Sequence, residues 1–194
     1  MSAEPHRFGA AGRGDVVRDD YLGVKRGMAG QPYIYSGQGF SLLRDKNRFV
    51  LPNALRSTVR DSSGKDVICL AKHPEWKCLV GFGLSRVDDF ETQLDVEEAR
   101  ADAAGRSFNR DKRAMQLYTF TQVPFDGSGR FVMPETVSGL ANIQDQLFFQ
   151  GVGRFITIWN PDELYKLASD PEMEGVIATC RSFATAELTR AKKK

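Results

Sequence analysis

Apolar and polar positions along this chain fall into one pattern that is played twice. The run Phe40-Ser41-Leu42-Leu43 leads into the polar stretch Arg44-Asp45-Lys46-Asn47, then into Arg48-Phe49-Val50-Leu51-Pro52. Further on, Leu117-Tyr118-Thr119-Phe120-Thr121-Gln122-Val123 leads through Phe125-Asp126-Gly127-Ser128-Gly129 into Arg130-Phe131-Val132-Met133-Pro134. Aligned on their arginines, which are 82 positions apart, both copies read Arg-Phe-Val-apolar-Pro. Each copy predicts a strand, a tight polar turn, a short strand and a helix begun by Pro at its first position. Gly127 and Gly129 can take positive φ at little steric cost, and Asn47 is the non-glycine residue that tolerates it best.

The pattern continues in parallel. After Pro52, Ala54, Leu55 and Val59 mark the apolar face of a short helix, with Arg56 and Arg60 on its polar side, and Asp61 to Gly64 stop it. Two strands follow, 67–71 and 77–82, joined by the loop 72–76. After Pro134, Val137 and Leu140 mark a weaker helix, and strands are expected over 146–152 and 154–159. Asn160-Pro161-Asp162-Glu163 caps another helix, with Leu164 and Leu167 inward. Ahead of the first copy, Tyr33-Ile34-Tyr35 is β-rich. Two copies are too few for a solenoid and instead predict two homologous units sharing one core.

Three segments lie outside the repeat. Eight of the eighteen glycines fall before Phe40, six of them within residues 1–32, and that segment shows little apolar periodicity, which predicts a disordered arm. Its charges nearly cancel, so a solvated tail is favoured over a DNA-tracking arm. Between the copies, Val87, Phe90 and Leu94 mark the core face of a long helix that begins acidic, and Gly105 breaks or kinks it. The next piece is basic, with Arg106, Arg110, Lys112 and Arg113. Two readings of it stand: contact with DNA or a neighbouring subunit, or ion pairs with the acidic stretch. The C-terminal extension, 169–194, predicts a helix with a basic end, Arg190 to Lys194, which is first of all a match to the helix dipole.

Composition narrows the function. A chain of 194 residues with 41% hydrophobic and 27% charged residues supports a normal globular core. The formal charge of +2 argues neither for nor against nucleic acid unless cations cluster. Three cysteines and no apolar leader are read as a soluble protein of a reducing cytoplasm with no membrane span. Catalytic chemistry finds little support. His6 sits in the arm, leaving His73 for acid–base work. Cys69, His73 and Cys78 match no common zinc spacing, and Gly151-x-Gly153 lacks the rest of a dinucleotide fingerprint. No enzyme, cofactor, metal or small-molecule substrate is expected. Trp76, Phe82 and Trp159 are read as packing residues rather than base-stacking ones.

The residues 126–134 and 44–52 carry a resemblance. Two turns of the form Asp-x-x-Gly-Arg followed by x-x-x-Pro in one chain resemble the MraZ family of bacterial transcriptional regulators, built from two tandem SpoVT-AbrB (swapped-hairpin) units. The second copy matches fully, from Asp126 through Gly129 and Arg130 to Pro134. The first has Arg44 where the family's Asp is usual, with Asp45 one place later, and Asn47 in place of Gly. Lys46, Arg48 and Pro52 match. The resemblance covers roughly residues 33–168.

It implies an α+β, mainly β fold: two fused AbrB-like swapped-hairpin units forming one pseudo-two-fold body, with helices after each unit. The units run over 33–84 and 115–168, joined by helices over 85–114. It further implies ring-shaped homo-oligomers, nucleoid association and recognition of short direct repeats in double-stranded promoter DNA. Arg44, Lys46, Asn47, Arg48, Gly127, Ser128, Gly129 and Arg130 are the expected DNA-binding residues. Asp126, Pro52 and Pro134 are expected to brace the turns. For Arg130, structural bracing by Asp126 and DNA contact weigh equally; for Arg48, DNA contact is favoured. Two other functions remain in play: a ring-forming protein-interaction scaffold, and an AbrB-like antitoxin, against which the fused units count.

Overall fold

The structure, a computed structural model, describes residues 32–45 and 47–193. The arm expected before Pro32 lies outside the described residues, as do His6, Lys46 and Lys194.

The first copy folds as β1 (Gln38–Leu42), β2 (Arg48–Val50), α1 (Asn53–Ser63), β3 (Val67–Lys72) and β4 (Leu79–Phe82). A 3-10 turn over Leu84–Asp89, α2 (Phe90–Ala103) and α3 (Arg110–Tyr118) link it to the second copy. That copy is β5 (Thr121–Pro124), β6 (Arg130–Val132), α4 (Glu135–Leu140), β7 (Gln146–Gly151) and β8 (Ile156–Trp159). Then come α5 (Pro161–Tyr165), a single 3-10 turn and α6 (Glu174–Lys192).

The fold is α+β with an antiparallel six-stranded sheet, ordered β1-β7-β8-β4-β3-β5, and a separate two-stranded ribbon, β2-β6. The first strand of each copy pairs with the third strand of the other: β1 with β7 and β5 with β3. Strands β4 and β8 meet at the middle of the sheet. Interchanging the two copies reproduces the same strand order read backwards.

Burial explains why the copies stay together. The ribbon turns Phe49 and Phe131 inward, with ring centroids 6.2 Å apart, onto Leu51, Met133, Leu55, Ile68, Leu70, Leu147 and Phe149. Each such side chain contributes about 1.5–3 kcal/mol when fully buried. The cluster draws on both copies, so neither could bury its short strand alone. Two smaller clusters complete the core: Cys69, Phe82 and Phe90, and Phe148, Trp159, Leu164, Ile177 and Cys180.

Several expectations are corrected. Helical residues outnumber strand residues, so "mainly β" does not describe the chain; α2, α3 and α6, all outside the repeat, supply the excess. The strand expected over 117–123 is helical through Tyr118 and extended only from Thr121. Its β-prone residues are held by tertiary contacts instead, with Tyr118 edge-on to Phe90 at 5.2 Å and Phe120 edge-on to Phe82 at 5.6 Å. Pro52 and Pro134 occupy the cap position, one residue before their helices.

Of the two readings of the basic piece, the ion-paired one describes Arg110 and Arg113. Arg110 lies within 3.0 Å of Glu91, Asp95 and Glu98, and Arg113 within 2.7 Å of Glu97. The hydrogen bond from Arg113 holds the Glu97 carboxyl below its usual range. Among the described residues, no helix is long and apolar enough to cross a membrane.

Candidate nucleic-acid interface

Each turn is a three-residue loop closed by backbone hydrogen bonds. In the first, the Arg44 N–H donates to the Arg48 carbonyl at 2.7 Å, and the Arg48 N–H returns to Arg44 at 3.3 Å. In the second, the Asp126 N–H donates to the Arg130 carbonyl at 3.0 Å. The last loop residue is left-handed in both, Asn47 at φ 54° and Gly129 at φ 81°. A three-residue hairpin loop requires this, which is why Gly or Asn stands there.

The side chains differ between the turns. Asp126 accepts three bonds: the N–H groups of Ser128 and Arg130 on Oδ1 at 2.9 and 3.0 Å, and Arg130 Nε on Oδ2 at 2.6 Å. The Arg130 backbone N–H, ahead of its guanidinium, holds the Asp126 carboxyl below the usual carboxylate range. In the first turn Arg44 occupies the corresponding place. Arg48 Nε reaches the Asp45 carbonyl at 3.3 Å rather than a carboxylate, and Arg44 Nη2 stands 4.0 Å from Glu187 on α6.

The ribbon sets the geometry between them. Arg48 pairs with Val132, Phe49 with Phe131, and Val50 with Arg130. Side chains alternate across a strand, so the buried phenylalanines leave Arg48, Val50, Arg130 and Val132 on the opposite, outward face. Arg48 and Arg130 are diagonal neighbours there, about 7–8 Å apart at their backbones. The turns project from opposite ends of the ribbon.

One residue of this region was not legible as part of a site. Arg56, assigned by periodicity to the polar side of α1, reaches across to the other copy. Its Nη2 donates to the Leu51 carbonyl at 3.0 Å and its Nη1 to the Gly127 carbonyl at 3.3 Å. The Nε is buried and lacks a hydrogen-bond partner. A Cβ on Gly129 would stand 2.7 Å from the Arg56 Cζ, so a side chain there would have to displace that guanidinium as well as bear the positive φ. The Leu51 N–H donates to the Gly129 carbonyl at 2.7 Å, fastening the same two segments. The signal that could have exposed Arg56 is a break in the repeat: 82 positions on stands Ser138.

Pro52 and Pro134 each deliver the chain from ribbon to helix, and their carbonyls accept the first helical N–H groups, from Leu55 and Arg56 and from Val137 and Ser138. His73 serves its loop: Nδ1 accepts the N–H groups of Glu75 and Trp76 at 3.2 and 3.1 Å, and the ring stacks on Trp76 at 4.7 Å. Burial, then Lys72, lowers its pKa. Among the described residues, no group of three or more His, Cys, Asp or Glu side chains is arranged to hold a metal ion.

No family model matches the sequence. Individual proteins do. A transcriptional regulator MraZ of Marinobacter nauticus is 25% identical over 134 residues, covering 66% of this chain and 85% of that protein. The MraZ of Methylococcus capsulatus is 27% identical over 128 residues, covering 66% and 79%. That of Mesomycoplasma hyopneumoniae is 26% identical over 144 residues, covering 71% and 88%. Taken with the paired Arg-Phe-Val-apolar-Pro turns, these matches support an MraZ family assignment for the chain.

Proposed function

We propose that the chain is a sequence-specific DNA-binding transcriptional regulator whose β2-β6 ribbon lies in the major groove of promoter DNA. One observation carries this reading: Arg48 and Arg130 share the outward face of a two-stranded ribbon, with a turn at either end. The major groove admits such a ribbon, and arginine is the commonest reader of guanine O6 and N7 there. Val50 and Val132 offer apolar contact to thymine methyl groups. Arg44, Lys46, Asn47, Gly127, Ser128 and Gly129 flank the ribbon and suit phosphate contact, which positions a protein without reading sequence. Asp126 braces Arg130 rather than touching DNA, because phosphates repel a carboxylate. The names of the relatives, all transcriptional regulators, support the reading.

The finer picture follows from it. The two copies, 33–84 and 115–168, form one pseudo-two-fold body of the swapped-hairpin kind, a reading favoured by the exchanged β1-β7 and β5-β3 pairs. Two basic turns per chain supply modest affinity, since each good bidentate base contact discriminates by about 1–3 kcal/mol. Closed rings of several chains meeting short direct repeats would multiply those contacts through effective concentration. Such a protein works in the cytoplasm, at the nucleoid.

An apolar groove of about 820 Å³ keeps a second reading, a ring-forming protein-interaction scaffold, in view. It runs past exposed Met115, Tyr118 and Leu140. The two readings separate by anisotropy titration of a labelled duplex from the protein's own upstream region, at two salt concentrations, against a scrambled duplex. Sequence-preferring binding that weakens with salt supports the regulator. A folded, oligomeric protein that binds neither duplex supports the scaffold.

A further inference from the structure

Sequence alone makes the basic end of the chain a dipole match for its own helix. The fold adds a neighbour. Helix α6 packs against β1, and its Ile177, Cys180 and Phe183 share one apolar cluster with Phe40 of β1, Phe148 of β7 and Trp159 of β8. Its last turns therefore end beside the first turn, far away in sequence. Leu42, Arg44, Glu187, Arg190, Ala191 and Lys193 together line a shallow hollow of about 480 Å³.

Three of those residues are cations and one is a carboxylate. Glu187 accepts a hydrogen bond from Arg190 at 2.6 Å and faces Arg44 at 4.0 Å. The dipole accounts for the cations of the last turn but opposes an acid so close to the helix end. Glu187 is bonded instead within the helix, to Arg190, and its other oxygen faces Arg44 on the first turn. The cations keep much of their surface, with the side chains of Arg44 and Arg190 50% and 74% exposed while that of Glu187 is 20% exposed. At the second turn Asp126 stands in the place of Arg44.

We infer that the C-terminal end of α6, through Arg190, Lys192 and Lys193, is a second phosphate-binding surface that extends the first turn along the backbone of the same DNA duplex. The inference rests on the DNA-binding reading above. Its chemistry is that of cations on a rigid helix meeting phosphates beside the groove occupied by the ribbon, so it adds affinity without adding sequence preference. Glu187 limits it by neutralising one charge of the set.

The test uses the full chain and its Arg190→Gln/Lys192→Gln/Lys193→Gln variant, titrated with the upstream and scrambled duplexes. Each phosphate contact adds about 0.9 to the slope of log affinity against log salt. Between about 50 and 200 mM salt the variant should therefore lose up to roughly 40-fold less affinity than the wild type. Both duplexes should weaken alike, with melting temperature unchanged. Glu187→Gln should act oppositely, tightening both duplexes. An unchanged slope while the wild type binds, or a loss confined to the upstream duplex, would overturn the inference and leave the ribbon standing. A wild type that binds neither duplex would overturn both.

Discussion

Gly129→Ala tests the latch between the two copies. An L-residue held at the φ of 81° seen here costs about 1–2 kcal/mol. The new methyl would also meet the Arg56 guanidinium, 2.7 Å from Cζ, and displace it. Arg56 then loses its bonds to Leu51 and Gly127, a further 1–2 kcal/mol or so, because a hydrogen bond from a charged group is worth about 1.5–3 and one of these is exposed. The total is about 3 kcal/mol, or roughly 6–12 °C in melting temperature for a body of this size. Gly127→Ala, two positions earlier, is the control. It has no atom within 4 Å of the added methyl and no positive φ, so it should stay within about 0.5 kcal/mol. Calorimetry on both, alone and with Arg56→Met, separates the terms. In the Arg56→Met background Gly129→Ala should cost only its backbone share. Equal shifts for the two glycines, or an undiminished cost without Arg56, would refute the latch.

Arg48→Ala should remove sequence preference, weakening the upstream duplex by about 1–3 kcal/mol with little change in melting temperature. Arg130→Ala should weaken binding and also lower the melting temperature, because its guanidinium is bonded to Asp126; equal thermal stability of the two variants would contradict this. Asp126 has a lowered folded pKa, so its stabilisation is present above the unfolded value of about 3.9 and fades as pH falls through the folded value. The melting-temperature gap between wild type and Asp126→Asn should thus be full at neutral pH and close only below about pH 4; a gap already closing at pH 6 would exclude Asp126 as its source. Burial pushes the thiols of Cys69 and Cys78 up to about 11 and about 12. They should resist thiol reagents at pH 8 until the protein unfolds, and rapid labelling of the native chain would show the core to be more open than this.

What the sequence reveals here is what repeats. The turns, their positive-φ residues and the strands that follow are written locally and twice, so a period-two pattern and a turn residue suffice. What escaped is set between distant segments. The run 117–123 has strand-like residues, yet Tyr118 and Phe120 fit against Phe82 and Phe90, and α3 continues into it. The acidic and basic stretches read as either surface or partner contact, and only folding α2 onto α3 pairs Arg110 with Glu91, Asp95 and Glu98. Arg56 sits on the polar side of an amphipathic helix, the usual place for a solvated cation. Its role depends on Gly127, 71 residues away, which no local rule reaches. The meeting of α6 with the first turn is invisible for the same reason.

In the proposed regulator the ribbon and its two turns face DNA. Amide hydrogen exchange followed by mass spectrometry, with and without the upstream duplex, tests it most directly. Exchange should slow over 44–50 and 126–132, and over 187–193 at low salt, with the groove along 110–120 unchanged. Protection confined to that groove, or absent everywhere at a duplex concentration that saturates binding, would contradict it.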